Sequence, residues 1–198
     1  MFSPEESNGV VAALTAGMVV ALPTDTVYGV GALVAIPSAV RQLFTLKRRP
    51  ETVALPVLVA DIADVRRLAM SLSEREIRMM EALWPGPLTM VISTSNALAS
   101  IVGGVDEVGF RIPNSPALRE LLRRTGPVAM TSANEHGEAP CNTAEQVAAV
   151  FAGRQELRGV WNRGERRGEV STVLRVTDDG VEILREGALS RETVLSVL

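Results

Sequence analysis

Apolar residues in this chain fall into short runs of two different periods, and those runs predict interleaved helices and strands. Gly9 to Ala16 reads as the end of an N-terminal helix. Met18 to Leu22 reads as a buried strand, and Val27 to Leu33 as a second extended stretch. Pro37 and Ser38 open a helix whose apolar face is Val40, Leu43 and Phe44, the i, i+3, i+4 pattern. It ends before Pro50, leaving Lys47 and Arg49 at its C-terminal exit. Leu55 to Ala60 reads as a strand, after which Asp61 caps a short helix through Met70. Ser73-Glu74-Arg75-Glu76 is a capping-box signature for a helix to about Leu83, broken by Trp84-Pro85-Gly86-Pro87.

The second half alternates in the same way. Leu88 to Ser93 and Val108 to Ile112 read as strands, and Ser115-Pro116 as the N-cap and first position of a helix stopped by Gly126. Pro127 to Thr131 is a short strand leading into Ser132-Ala133-Asn134. Thr143 to Phe151 is a helix with a Thr-x-x-Gln start. Ser171 to Val176 and Val181 to Leu184 flank Asp178-Asp179-Gly180, a hairpin signal, and Ser190 caps a last helical turn or two. With no repeat, low-complexity tract or Pro/Gly/Ser-rich linker, residues 1–198 read as one α/β domain.

Composition narrows the chemistry. Hydrophobic residues make up 46% of the 198 positions, enough to bury a core without disulfides or metals. The apolar stretch from Val10 to Leu22 is too short to span a bilayer, so a cytoplasmic protein is expected. Cys141 is the only cysteine and His136 the only histidine, which excludes a disulfide framework and a multi-cysteine or histidine-rich metal centre within one chain. A Ser-His-Asp triad would have to use His136, in a polar stretch that reads as a loop. The net charge of −3 argues against a large electrostatic nucleic-acid surface. Of the 20 lysines and arginines, only Lys47 is lysine; a compact ammonium wanted at that place and chance on a helix surface are both open readings.

Four segments put polar residues where strands give way to loops, the usual location of ligands in open α/β sheets. Pro23-Thr24-Asp25-Thr26-Val27-Tyr28-Gly29 packs two hydroxyls, a carboxylate and the only tyrosine between apolar runs, though Thr and Asp also suit an ordinary turn. Lys47-Arg48-Arg49-Pro50 puts three cations at a helix C-terminus. The helix dipole favours that placement, and a triphosphate clamp would use it. The glycines of a Walker A loop are missing. Arg111, inside the apolar Val108 to Pro113 run, needs an anionic partner, from the protein or from a ligand. Thr131-Ser132-Ala133-Asn134 and Ser171-Thr172-Val173 supply hydroxyls and an amide that could bind a ligand or cap turns.

Taken in order, Pro-Thr-Asp-Thr-Val-Tyr-Gly, Lys-x-Arg-Pro, Trp-Pro-Gly-Pro-Leu-Thr, Arg-x-Pro, Thr-Ser-Ala-Asn and Ser-Thr-Val closely resemble the YrdC/TsaC family from about Gly17 to Gly187. The resemblance implies a twisted mixed α/β sheet with flanking helices around a concave, positively charged cavity. It also implies L-threonylcarbamoyladenylate synthase activity. In that reaction L-threonine, bicarbonate and ATP, with Mg2+, give threonylcarbamoyl-AMP and pyrophosphate. Downstream proteins then transfer the threonylcarbamoyl group to a tRNA adenosine next to the anticodon. Such an enzyme makes a small molecule and has little need to grip tRNA itself. The longer members' C-terminal extension is absent from this sequence, which therefore resembles the single-domain form.

Carried over residue by residue, the resemblance makes Lys47 and Arg49 the catalytic phosphate-binding pair. Val53, Ser132, Asn134, Asn142 and Arg185 become ATP contacts. Thr24, Thr26, Tyr28, Leu58, Arg111, Thr131, Ser132, Ser171 and Thr172 are expected around threonine and its carbamate, with no metal held by protein side chains alone. The chain departs from the family at Leu58, where many members carry a histidine. Ser115 follows the Arg-x-Pro element in place of a frequent histidine, and Arg185-Glu186-Gly187 replaces the commoner Arg-Pro-Gly. Leu58 keeps open a paralogue that adenylates a different carbamate, and the fold could also serve a non-catalytic nucleotide- or RNA-binding module. Asp25 is a candidate general base beside bulk water. Pro50 to Ala54 and Arg163 to Gly168 are candidate closing loops, although the arginine-rich run also suits a solvated loop.

Overall fold

A computed structural model describes residues 1–50, 52–135 and 137–197. His136, which a hydrolytic triad would require, lies outside the described residues, as does Glu51 within the Pro50 to Ala54 loop.

Among the described residues nine strands form one mixed sheet in the order β7-β1-β2-β6-β3-β5-β4-β8-β9. They are β1 (Val19–Pro23), β2 (Tyr28–Leu33), β3 (Val57–Leu58), β4 (Leu88–Ser93), β5 (Glu107–Arg111), β6 (Val128–Ser132), β7 (Leu157–Val160), β8 (Thr172–Thr177) and β9 (Gly180–Arg185). The pairs β1/β7, β3/β5 and β4/β8 are parallel and the remaining pairs antiparallel. Strand β1 is buried at every position because its two faces feed two cores. Val20 and Leu22 pack with helices α1 (Ser7–Thr15) and α6 (Pro116–Thr125) through Val10, Leu14, Leu118 and Leu122. Val19 and Ala21 face a larger cluster that takes Val40, Leu43 and Phe44 from α2 (Pro37–Lys47) and Met79 and Met80 from a later helix.

The remaining helices are short. They are α3 (Ile62–Leu68), α4 (Glu74–Leu83), α5 (Asn96–Ile101), α7 (Ala144–Val150) and α8 (Arg191–Leu195). Capping boxes start three of them: Asp61 with Asp64, Ser73 with Glu76, and Thr143 with Gln146. Ser115 occupies the N-cap position of α6 but its hydroxyl makes no capping bond; Pro116 at the first turn fixes the start instead. The extended run from Leu55 to Ala60 contributes a ladder of only two residues, since Pro56 has no N–H to give. Helix α5 and strand β7 were not apparent from the apolar pattern. Among the described residues no helix is long and apolar enough to cross a membrane.

Candidate active site

The turn between β1 and β2 is built by Thr24. Its Oγ1 donates to the Val27 carbonyl at 2.7 Å and accepts from the backbone N–H of Thr26 at 3.0 Å and of Val27 at 3.2 Å. Thr24 and Thr26 hydroxyls lie 2.9 Å apart. Because Thr24 spends its proton on Val27, Thr26 is the donor of that pair and keeps a lone pair for Arg111 Nη1 at 3.2 Å.

Arg111, at the end of β5, is 6% exposed. Its Nη2 pairs with Asp25 Oδ1 at 2.7 Å and its Nε donates to the Gly86 carbonyl at 3.1 Å. Burial lowers the guanidinium pKa, and Asp25 offsets this only in part. The sequence asked for an anionic partner, and the protein supplies one. Asp25 is thereby an orienting counter-ion whose charge is already matched, which does not suit a free base.

Beside Arg111, the β3/β5 register puts Leu58 on the neighbouring strand. Ser171 Oγ lies 2.9 Å from Thr89 Oγ1 and accepts from Arg185 Nη2 at 3.2 Å, while the same Nη2 donates to the Ser171 carbonyl at 2.7 Å. These groups line a cavity of about 170 Å3 with Thr24, Thr26, Tyr28, Arg49, Thr131 and Ser132. Arg49, Arg111 and Arg185 are its charged residues, and no carboxylate is among its lining residues. Burial lowers the pKa of Arg49 and of Arg185, each disfavoured further by another arginine.

Lys47, the last residue of α2, is 5% exposed. Its Nζ donates to the Ser132 carbonyl at 2.8 Å, to Asn134 Oδ1 at 2.9 Å and to the Asn134 carbonyl. Ser132 Oγ donates to the same Asn134 Oδ1 at 2.7 Å. Arg48 adopts a left-handed conformation, φ 47°, which ends the helix. Arg49 then donates to the carbonyls of Val53 and Ala54 at 2.9 and 3.0 Å, tying the following loop to the cavity. Burial, and then the Arg49 charge, lower the Lys47 ammonium to about 8; Glu135 and Cys141 oppose this. The sole lysine is thus a desolvated cation held against the Ser-x-Asn turn.

Of the expected site residues, Thr24, Thr26, Tyr28, Arg49, Leu58, Arg111, Thr131, Ser132, Ser171 and Arg185 line one cavity. Lys47 and Asn134 attach to it through Ser132. Val53 lines a second, adjoining cavity of about 660 Å3. Thr172 does not join them: its hydroxyl donates to the Leu189 carbonyl at 2.7 Å and accepts from the Leu189 N–H at 3.0 Å, closing the strand's flank. Asn142 lines neither cavity; its Oδ1 is buried without a partner, and its carbonyl accepts from Arg166 N at 2.8 Å.

The Tyr28 phenol is occupied as well, donating to the Gly164 carbonyl at 2.8 Å and accepting from Arg163 N at 3.2 Å. The arginine-rich run is therefore a strap, and its Gly168 N–H donates to the Thr26 carbonyl at 3.1 Å. Thr89 lines the same cavity and was not among the expected site residues. The signal was a hydroxyl in the buried, apolar Leu88 to Ile92 run, ending the Trp-Pro-Gly-Pro-Leu-Thr motif.

Comparison with known proteins places the chain in a family. Residues 12–187 match the Sua5/YciO/YrdC family model, described as "Telomere recombination". The chain is 35% identical over 184 residues to a threonylcarbamoyl-AMP synthase of Bacillus subtilis, covering 91% of this chain and 53% of that protein. It is 34% identical over 200 residues to a putative threonylcarbamoyl-AMP synthase of Mycobacterium tuberculosis, covering 98% and 92%. The chain thus spans about half the length of the Bacillus relative and nearly all of the Mycobacterium one. Pyrococcus abyssi Sua5 complexed with L-threonine superposes with a TM-score of 0.92 at 30% identity, over 100% of this chain and 60% of that one. Escherichia coli YciO shares the fold, with a TM-score of 0.85 at 20% identity, over 98% of both chains. With the model matched over most of its length and a full-length relative above 30% identity, this chain belongs to the Sua5/YciO/YrdC family.

Proposed function

We propose that the protein is a threonylcarbamoyl-AMP synthase, a nucleotidyltransferase that joins L-threonine, bicarbonate and ATP into threonylcarbamoyl-AMP and releases pyrophosphate. The observation that carries this reading is the set of cations around one hydroxyl-lined cavity: Arg49, Arg111 and Arg185 on its walls, with Lys47 behind Ser132. Attack of a carbamate on the ATP α-phosphate brings two anions together, so the protein's work is positioning and charge neutralisation. Arg111, fixed by Asp25 and Thr26, suits the amino acid's carboxylate or the carbamate. Lys47 and Arg49 suit the phosphates, Lys47 as a point charge and Arg49 as a fork.

Magnesium would enter with the nucleotide. Among the described residues there is no group of three histidine, cysteine or acidic side chains able to cage a cation, so phosphate oxygens and water would be its ligands. The product is an activated mixed anhydride, and its expected use is threonylcarbamoylation of a tRNA adenosine by separate proteins. An enzyme of this kind works in the cytoplasm.

Incubation with isotopically labelled bicarbonate, L-threonine and Mg-ATP, followed by mass analysis, tests the reading. Threonylcarbamoyl-AMP carrying the label is the expected product. An adenylate formed only when another amine replaces threonine, or, unlabelled, when carbamoyl phosphate is added in place of both, would replace it with the paralogue, for which Leu58 beside Arg111 is the structural opening.

A further inference from the structure

The smaller cavity holds more hydroxyls than free protons. Thr24 gives its proton to the Val27 carbonyl, Thr26 to Thr24, Tyr28 to the Gly164 carbonyl and Ser132 to Asn134 Oδ1. Thr89 and Ser171, 4% and 6% exposed, are a different case. Their oxygens lie 2.9 Å apart, so one donates to the other, and the second proton has no acceptor among the described residues. A buried hydroxyl proton left without an acceptor is costly unless a ligand supplies one. Among the described residues Thr89 is also the only hydroxyl residue that lines both cavities.

Both members of the pair are held in place. Arg185 Nη2 donates to the Ser171 carbonyl at 2.7 Å and to its Oγ at 3.2 Å. The strand register brings Arg185 there, since Thr89 pairs with Val173 and Val173 with Arg185. A Cβ on Gly187 would fall 2.7 Å from the Ser171 carbonyl oxygen, so the chain after Arg185 closes on the serine backbone. Thr89 is fixed from its other side by Gly109, where a Cβ would stand 2.9 Å from Thr89 Cγ2. Threonine is stiff about χ1, so its methyl and hydroxyl turn together, and a larger residue at 109 would swing the hydroxyl off Ser171. Glycine weakens a strand interior, and here it seats the Thr89 methyl.

Resting on the synthase reading above, we propose that Thr89 is a positioning residue that donates to Ser171 Oγ and aims the Ser171 proton at the carbamate. Arg185 and Thr89 then both donate into one oxygen, which polarises its O–H toward an anion. The proton goes to the carbamate oxygen that does not attack, while the other bonds the α-phosphorus as pyrophosphate leaves. Location decides between the substrate's two anionic ends. The attacking group has to meet the phosphates where the cavities join, and Thr89 and Arg185, the partners of Ser171, line both. Arg111 lines only the smaller cavity, with Asp25 against it, which leaves it for the amino acid's carboxylate. A fixed donor to an anion contributes about tenfold or more, and here it acts on turnover because it aims the nucleophile.

Steady-state pyrophosphate release at saturating Mg-ATP and bicarbonate, with threonine varied, tests this on the wild type, Thr89→Val, Ser171→Ala and the double variant. Thermal melts establish that each is folded. Thr89→Val keeps the branched shape without the hydroxyl, and kcat should fall about tenfold while the threonine KM stays within about twofold. Because Thr89 acts through Ser171, the double variant should be no slower than Ser171→Ala alone. Gly109→Ala should also lower kcat, by displacing Thr89. Adding Thr89→Ser, which keeps the hydroxyl and has no methyl to displace, should restore it, and this rescue can be read whether or not Thr89→Val folds. Additive losses in the double variant, an unchanged kcat in folded Thr89→Val, or no rescue by serine would overturn the positioning role and leave the synthase reading intact. A wild type that releases no pyrophosphate with all three substrates would overturn the parent reading, and this one with it.

Discussion

Lys47 carries a property that no arginine at its position could have. Its ammonium is lowered to about 8 by burial and by Arg49, so in the free protein the charge is present below that pH and lost above it. If that charge binds phosphate, ATP affinity is flat up to about pH 8 and then weakens by up to about tenfold per pH unit. Titration of ATP binding between pH 6.5 and 9.5, each value about evenly spaced, checks this, and Lys47→Arg should remove the bend because a guanidinium stays charged throughout. Gly168 is constrained differently. A Cβ there would lie 2.7 Å from Thr26 Cα and 3.0 Å from its carbonyl oxygen, backbone atoms that cannot swing aside. Gly168→Ala should lower the melting temperature by about 5 °C and raise the KM for threonine, since the strap would push directly on Thr26.

At the scale of the element, the ends of helices and strands were more legible in the sequence than the fate of their hydroxyls. Ser73 with Glu76 and Thr143 with Gln146 announce helix starts because side chain and backbone meet within one turn, a purely local event. Strand β7 depends on a parallel partner far along the chain, and α5 spans six residues; neither offers a period long enough to read. Arg111 was legible as a buried cation in need of an anion, but the choice between Asp25 and a ligand required the fold. The same limit applies to Tyr28 and Thr172, whose oxygens are claimed by Gly164 and Leu189, residues that only the folded chain brings near. The Arg111–Asp25 pair links β5 to the turn between β1 and β2. Asp25→Asn would leave a buried guanidinium without its counter-charge, an expected loss of about 3 kcal/mol in urea unfolding. Arg111 would also lose its orientation, and threonine affinity should fall with it.

For the whole molecule, the mixed sheet lays a small polar cavity beside a larger apolar one and sets Arg49 and Arg185 at their junction. The proposed adenylation would use that division, with a compact anion on one side, a nucleoside on the other and cations where the phosphates cross. The net charge of −3 leaves room for Arg49 and Arg185 at the junction, since the smaller cavity is lined by no carboxylate and Glu107 in the larger one is paired with Arg175. Pyrophosphate release from Mg-ATP, with L-threonine or bicarbonate omitted in turn and with Lys47→Ala alongside, tests the account most directly. The account predicts release only when all three substrates are present and a loss of about a hundredfold or more in the variant. Release that ignores threonine or bicarbonate, or a Lys47→Ala protein as active as the wild type, would contradict it.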